Sequence, residues 1–318
     1  MCRGIYIISK VSSPPKRGIV LRNEKFWEVK NPMNLSRETV QDNDLNCPSE
    51  YGKLKKVLVV SPQNMRITEI INETQKHFMK DNIDIDKAVH QHEQFVKILE
   101  ENGAEVHHLT PRKEMNEQVF TRDIGFCIGN ELIVSSMNTE LRKGEVKVLL
   151  GWLEEQKIPH THLAAHSIEG GDVLVDGKNV WVGISGRTNR LAVQALKKLL
   201  PDYTVHALPL RSDILHLDCV FTIISEEAAL VYPPAFSKKD LEKIKEHYNI
   251  IEVSEKEQFR MGPNVLAIGD KTIVSLPQNG ELNERIREKG FKVIETDFSE
   301  IIKSGGSFRC CTLPLVRE

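Results

Sequence analysis

The sequence predicts an α/β fold in which a repeated unit closes into a ring. Three observations carry that prediction. Polar residues Asp123, Asp172, Asp218, Asn264 and Cys310 each stand just before an apolar run, at steps of 49, 46, 46 and 46 residues. Behind each of the first four come two short strand-like runs around a turn, then a helical pattern, then another strand. The fifth unit stops after one strand, and a spare strand and helix near Val57 can complete it. Such a closure removes the exposed sheet edges that template aggregation.

The elements follow in chain order. Residues 1–50 include Ser-Ser-Pro-Pro and scattered charge without a sustained period, which predicts a poorly structured extension. Met33 is a second candidate start that would make residues 1–32 an upstream extension. Residues 51–318 are expected to form one domain. Val57–Val60 is a buried-strand run. Between Asp84 and Asn102, apolar residues Ile85, Ala88, Val89, Phe95, Val96, Ile98 and Leu99 recur at helical spacing, and Gly103 supplies a stop. Ala104–Leu109 reads as the next strand. The four complete units then turn at Gly129-Asn130, Asp176-Gly177, Ser225-Glu226 and Gly269-Asp270. Their helices are expected at Glu140–Gln156, Thr188–Leu200, Lys238–His247 and Glu281–Lys289.

Composition narrows the function. The chain has 318 residues, 40% hydrophobic and 28% charged, enough for a sizeable core. A net charge of −2 gives no basic footprint for nucleic acid or an anionic membrane. No apolar run approaches the ~20 residues that span a bilayer. Ile5–Ile8 is too short for a signal-peptide core. Six cysteines in a chain of this length then predict free thiols in a reducing cytosol, and a cytoplasmic protein.

In a ring, the five opening motifs face one another, so residues far apart in sequence share a pocket. Cys310, after Ser304-Gly305-Gly306-Ser307-Phe308-Arg309, is the candidate nucleophile. Glycines let a backbone approach a ligand, and an arginine beside a thiol favours the thiolate. On a strand, Cys311 would face away. His216 is the candidate acid and base, and as i and i+2 on a strand it would share a face with Asp218. Glu169 and Asp172 flank Gly170-Gly171, where one acid can orient His216 and the other can accept from substrate. Asp123 and Asp218 suit a planar cation that donates paired hydrogen bonds, and Phe120 can stack on it. Arg142 and Arg187 can clamp a carboxylate at the other end. His107, His108, His160, His162 and His166 lack a compact ligand spacing, so no metal is expected.

These motifs carry a resemblance. FTRD at 120–123, EGGD at 169–172, HLD at 216–218 and the terminal RCCTLPLVRE resemble the guanidino-group-modifying enzymes. That superfamily includes arginine deiminase, dimethylarginine dimethylaminohydrolase and the amidinotransferases. The resemblance spans roughly Leu54–Glu318. It implies a five-bladed α/β propeller (the pentein fold) of ββαβ modules, a small guanidino substrate, and no cofactor or metal. Self-association is left open. It assigns Cys310 as nucleophile, His216 as general acid and base and Glu169 as its partner. Asp123, Asp172 and Asp218 would hold the guanidinium, and Arg142 and Arg187 the substrate carboxylate. The stretch GISGRTN is similar to a substrate-binding segment of the dimethylarginine hydrolases, as is the chain's length. Arg122 and Asp218 are more similar to arginine deiminase. Amidino transfer ranks third. A ribosome-binding factor of the same fold is the non-enzymatic alternative, and it has no use for Cys310, His216 and Glu169 together.

Overall fold

The computed structural model describes residues 45–318. The expectation for residues 1–44 lies outside them. Fifteen strands form five three-stranded sheets. In chain order they are β1 (Leu54–Val59), β2 (Glu105–His108), β3 (Gly125–Ile128), β4 (Glu131–Val134), β5 (Thr161–His162), β6 (Val173–Asp176), β7 (Asn179–Ile184), β8 (Thr204–Pro209), β9 (Phe221–Ile223), β10 (Ala228–Val231), β11 (Asn249–Glu252), β12 (Leu266–Gly269), β13 (Thr272–Ser275), β14 (Lys292–Glu295) and β15 (Leu313–Arg317).

Each sheet repeats one pattern: an antiparallel pair, then a helical crossover to a parallel third strand. Parallel neighbours need such a crossover because a tight turn cannot join them. The expected helices are present as Ile85–Glu101, Lys143–Glu155, Arg190–Leu199, Lys238–Lys245 and Gly280–Glu288. Caps set several starts. Asp84, Asn189 and Ser237 accept from the backbone N–H groups of Lys87, Ala192 and Asp240. The hairpin turns need left-handed backbone, with φ of +56° at Gly129 and Gly177.

The last sheet closes the ring. β15 pairs antiparallel with β1, and β1 runs parallel to β2, so the chain's end completes the unit its first strand began. The ring expected from the spacing, and the five-module α/β propeller that the resemblance implies, is therefore the fold. The apolar core lies between sheets and crossover helices. Val146, Leu149 and Leu153 of one helix, for example, pack with Ile124, Leu132 and Val134. Fully burying a side chain of this size contributes about 1.5–3 kcal/mol.

The structure departs from the sequence reading in three places. Residues 45–50 are part of the domain: bridges join Asn46 to Val316, Cys47 to Gly129 and Ser49 to Asp176. The boundary at residue 50 therefore falls inside a docked strap. A further helix, Glu73–Phe78, precedes the first crossover helix. The motif residues also lie off the strands. His216 leads a 3₁₀ turn over Leu217–Cys219, and Cys310 and Cys311 sit in a turn before β15. Short helical turns also hold Asp123 (Thr121–Ile124) and Asp172 (Gly170–Asp172). Strand alternation therefore does not set where these side chains point.

Candidate active site

Neighbouring motifs contact one another around the ring. The Arg122 N–H donates to the Cys310 carbonyl at 3.0 Å, linking the first and last units. Asp172 Oδ1 accepts from the Leu217 N–H at 2.9 Å. Asn264 Nδ2 reaches the Asp218 carbonyl at 3.3 Å and Cys310 Sγ at 3.0 Å. Gly170 and Gly171 permit the remaining approach, because a Cβ at Gly170 would run into the Arg122 carbonyl oxygen. One at Gly171 would lie 2.7 Å from Asp123 Oδ1 and 2.8 Å from the His216 ring. Gly170→Ala is therefore expected to lower stability by at least about 1–3 kcal/mol. Chemical denaturation would measure the loss, and an unchanged midpoint would contradict the packing described.

Six of the nine candidate residues, Cys310, His216, Asp123, Phe120, Arg142 and Arg187, line one narrow cavity. Glu169 stands behind His216, its Oε2 accepting from Nε2 at 2.8 Å. Asp172 and Asp218 lie outside the lining. Asp172 accepts from Ser185 Oγ at 2.6 Å and braces the turn that carries His216. Asp218 Oδ2 is 3.5 Å from Cys310 Sγ and accepts from Arg309 Nη1 at 2.7 Å. His216 and Asp218 thus do not share a strand face.

Two arginines are placed differently from the sequence reading. Arg309 points away from the thiol, toward Asp218, Glu50 and the Val173 carbonyl. Arg142 does reach the cavity, but its donors are engaged within the protein. They serve Glu145, Asp123 Oδ2 at 2.5 Å and the Phe120 and Glu117 carbonyls. A guanidinium so occupied orients Asp123 more readily than it clamps a ligand. Arg187 is less committed, with the Ile71 carbonyl at 3.1 Å and Glu169 at 3.5 Å.

Electrostatics divide the roles. Burial would lower the His216 pKa, but Asp123, the hydrogen bond to Glu169 and Asp172 outweigh it and raise it to about 9. The ring is then an imidazolium at neutral pH. Burial pushes the Cys310 thiol well above its ordinary value, and Asp218 and Asp123 add to the effect. These surroundings favour the neutral thiol. Asp123 Oδ1, 3.6 Å from His216 Nδ1, has no hydrogen-bond partner. A buried carboxylate oxygen without a donor is costly. Asp123, Glu169 and His216 offer ligand atoms within 4.8 Å of one another, close enough for a cation to share. Two of the three residues, His216 and Glu169, are already joined by a hydrogen bond.

Several site residues escaped sequence reasoning. Glu117 lines the cavity, and burial raises its pKa to about 7 against the opposing pull of Arg142 and Ser304. No motif marks it beyond its place three residues before Phe120. Asn264 is visible in the repeat spacing, but nothing there shows that it reaches the sulfur. Ile71 and Asn72 cover the cavity, and Asn72 Nδ2 donates to the Ser304 carbonyl at 2.9 Å.

The family described as "N,N dimethylarginine dimethylhydrolase, eukaryotic" matches residues 61–317. The chain belongs to this family. YkgA of Bacillus subtilis (strain 168) is 49% identical over 271 residues, covering 85% of this chain and 95% of that protein. The N(G),N(G)-dimethylarginine dimethylaminohydrolase of Mycobacterium tuberculosis H37Rv is 27% identical over 229 residues, 71% of this chain and 74% of its own. Among solved structures, the N-terminal domain of ArgZ, a mutant bound to substrate, superposes with a TM-score of 0.76 at 27% identity. The match covers 82% of this chain and 98% of that one, and ArgZ is described as an arginine dihydrolase from the ornithine-ammonia cycle in cyanobacteria. The dimethylarginine dimethylhydrolase family is enzymatic and sits within the guanidino-modifying superfamily. No described helix of this member is long and apolar enough to cross a membrane.

Proposed function

We propose that the chain is a cysteine-dependent hydrolase of the guanidino group of a free amino acid, arginine or an N-methylated arginine. The observation that carries this reading is the unpartnered Asp123 Oδ1 in a cavity shared by the Cys310 thiol and a positively charged His216. A guanidinium brings the missing donor, and its charge favours release of the thiol proton to solvent, which the freed ammonia or amine later takes up. Cys310 Sγ attacks the central guanidino carbon to give a tetrahedral adduct. His216 passes its proton to the departing nitrogen, which leaves as ammonia or as an amine. The neutral ring then takes a proton from water, which adds to the planar thiouronium. Collapse returns the thiol and releases citrulline. Glu169 holds the ring in place through both steps.

The amino-acid end is read from Arg187 and Glu117, a cation for the α-carboxylate and an acid for the α-ammonium. Agmatine, which lacks the carboxylate, is expected to show a specificity constant about ten- to a hundredfold lower, the worth of one charge-assisted contact of about 1.5–3 kcal/mol. Arg187→Ala should cut kcat/KM for the amino acids by a similar factor and leave agmatine nearly unchanged. Agmatine turning over as well as the amino acids would overturn the assignment of Arg187. The family match favours methylated arginine. Asp218 beside the sulfur favours arginine itself as a second reading, and comparing kcat/KM for arginine and its mono- and dimethylated forms separates the two.

A further inference from the structure

The strap before β1 carries an acid into the centre of the molecule. Glu50 is 7% exposed. Its own N–H donates to the Val175 carbonyl at 2.9 Å, and its Oε1 accepts from the Val175 N–H at 3.2 Å. Its two oxygens also take Arg309, with Nε at 3.1 Å and Nη2 at 3.1 Å. Arg309 in turn spends Nη1 on Asp218 at 2.7 Å, and the same Asp218 oxygen lies 3.5 Å from Cys310 Sγ. A continuous line of buried polar contacts therefore runs from Glu50 through Arg309 and Asp218 to the candidate nucleophile.

The charges along this line do not balance. Three buried arginines, Arg122, Arg309 and Arg317, face two acids, Glu50 and Asp218. Arg122 approaches Glu50 only to 4.0 Å, and its Nε and Nη2 have no hydrogen-bond partner. Arg317 Nη2 has none either. Although burial opposes it, Arg309 and Arg122 hold the Glu50 carboxyl down to about 2, so it stays ionised through the working range. The cluster carries one surplus positive charge until something beside it ionises. Cys310 is adjacent through Asp218, and its backbone carbonyl accepts from the Arg122 N–H.

We propose that Glu50 is a positioning residue for Cys310. It divides the charge of Arg309 between itself and Asp218, and so sets how readily the thiol ionises. The proposal rests on Cys310 being the nucleophile, as the preceding section reads it. Arg122 acts in the opposite sense, as the uncompensated cation whose field favours the thiolate.

Alkylation of Cys310 by iodoacetamide tests this without any substrate. Rates are followed against pH in the full chain, with the modified cysteine located by peptide mass spectrometry. Glu50→Gln removes a negative charge while keeping the shape, and should move the midpoint for Cys310 down by about one unit for a charge several ångströms away in a partly screened interior. Arg122→Gln should move it up. Glu50→Asp, which keeps the charge, should restore most of the wild-type midpoint. Shifts of opposite sign are not produced by general loosening of the fold. Unshifted midpoints in both charge-removing variants, or shifts in the same direction, would overturn the proposal. Should Glu50→Gln fail to fold, Arg122→Gln decides alone: an upward shift supports the proposal and its absence overturns it. Turnover of arginine and methylated arginines separates the two readings. A protein that turns over none of them yet shows the opposed shifts loses the guanidino reading and keeps the role of Glu50.

Discussion

Cys310→Ser is expected to abolish turnover, with kcat falling by at least about a thousandfold, while Cys311→Ser keeps most of it. The two thiols are adjacent in sequence and both buried, but only Cys310 lines the cavity. Its Sγ sits 3.0 Å from Asn264 Nδ2 and 3.5 Å from Asp218 Oδ2. Both thiols belong to the apolar cluster of Phe95, Phe298 and Phe308, but Cys311 does not reach the cavity. A serine hydroxyl at 310 fits the same space, yet an alkoxide is far harder to form than a thiolate near neutral pH. At 311, the hydroxyl would enter an apolar neighbourhood and cost about 1–3 kcal/mol in stability rather than rate. Steady-state kcat on folded protein, with thermal melts alongside, tests both halves. A dead Cys311 variant beside an active Cys310 variant would move the nucleophile by one residue and remove the basis of the mechanism.

The second large effect concerns the proton on His216. With a pKa of about 9, the ring remains an acid across neutral pH, and kcat is expected to fall as pH rises through that value. Replacing His216 should cost about 10²–10⁴ in kcat. Glu169→Gln is more discriminating. It keeps a hydrogen-bonding group at Nε2 but removes one of the carboxylates that raise the pKa, leaving only Asp123 and Asp172 to oppose burial. The alkaline limb should then move toward neutrality, with little change in substrate affinity. The same shift has a stability consequence. A folded pKa above the unfolded one means that protonated His216 stabilises the fold fully below about pH 6.5. That contribution is lost as pH rises through about 9. Profiles of kcat and of denaturation midpoint against pH should therefore bend in the same range. An alkaline limb that stays in place in Glu169→Gln would refute the pairing.

What was legible in the sequence is what repeats or is local. The even spacing of Asp123, Asp172, Asp218, Asn264 and Cys310 marks five openings of one supersecondary unit. The ring follows because each unit must bury the edges of its sheet. Helices such as Arg190–Leu199 show in the sequence because their apolar face and their Asn189 cap lie within a few residues. The motifs were readable as a set because each sits at the start of a unit.

Partners at long range were not legible. Glu50 meets Arg309 across 259 positions, and Arg309 meets Asp218 across 91. No local pattern connects them, and the strap that carries Glu50 looks like an unstructured extension. Side-chain direction was equally hidden. The reading that put Cys310 and His216 on strands assumed alternation, whereas turns deliver both residues, and a turn aims its side chain by local φ and ψ. The sequence alone therefore determined where the five units open, because topology depends on periodicity and on closing strand edges. Only the tertiary structure decided what each motif residue faces. A buried charge takes the nearest opposite charge in space, which is why Arg142 turns to Glu145 and Asp123, and Arg309 to Glu50 and Asp218.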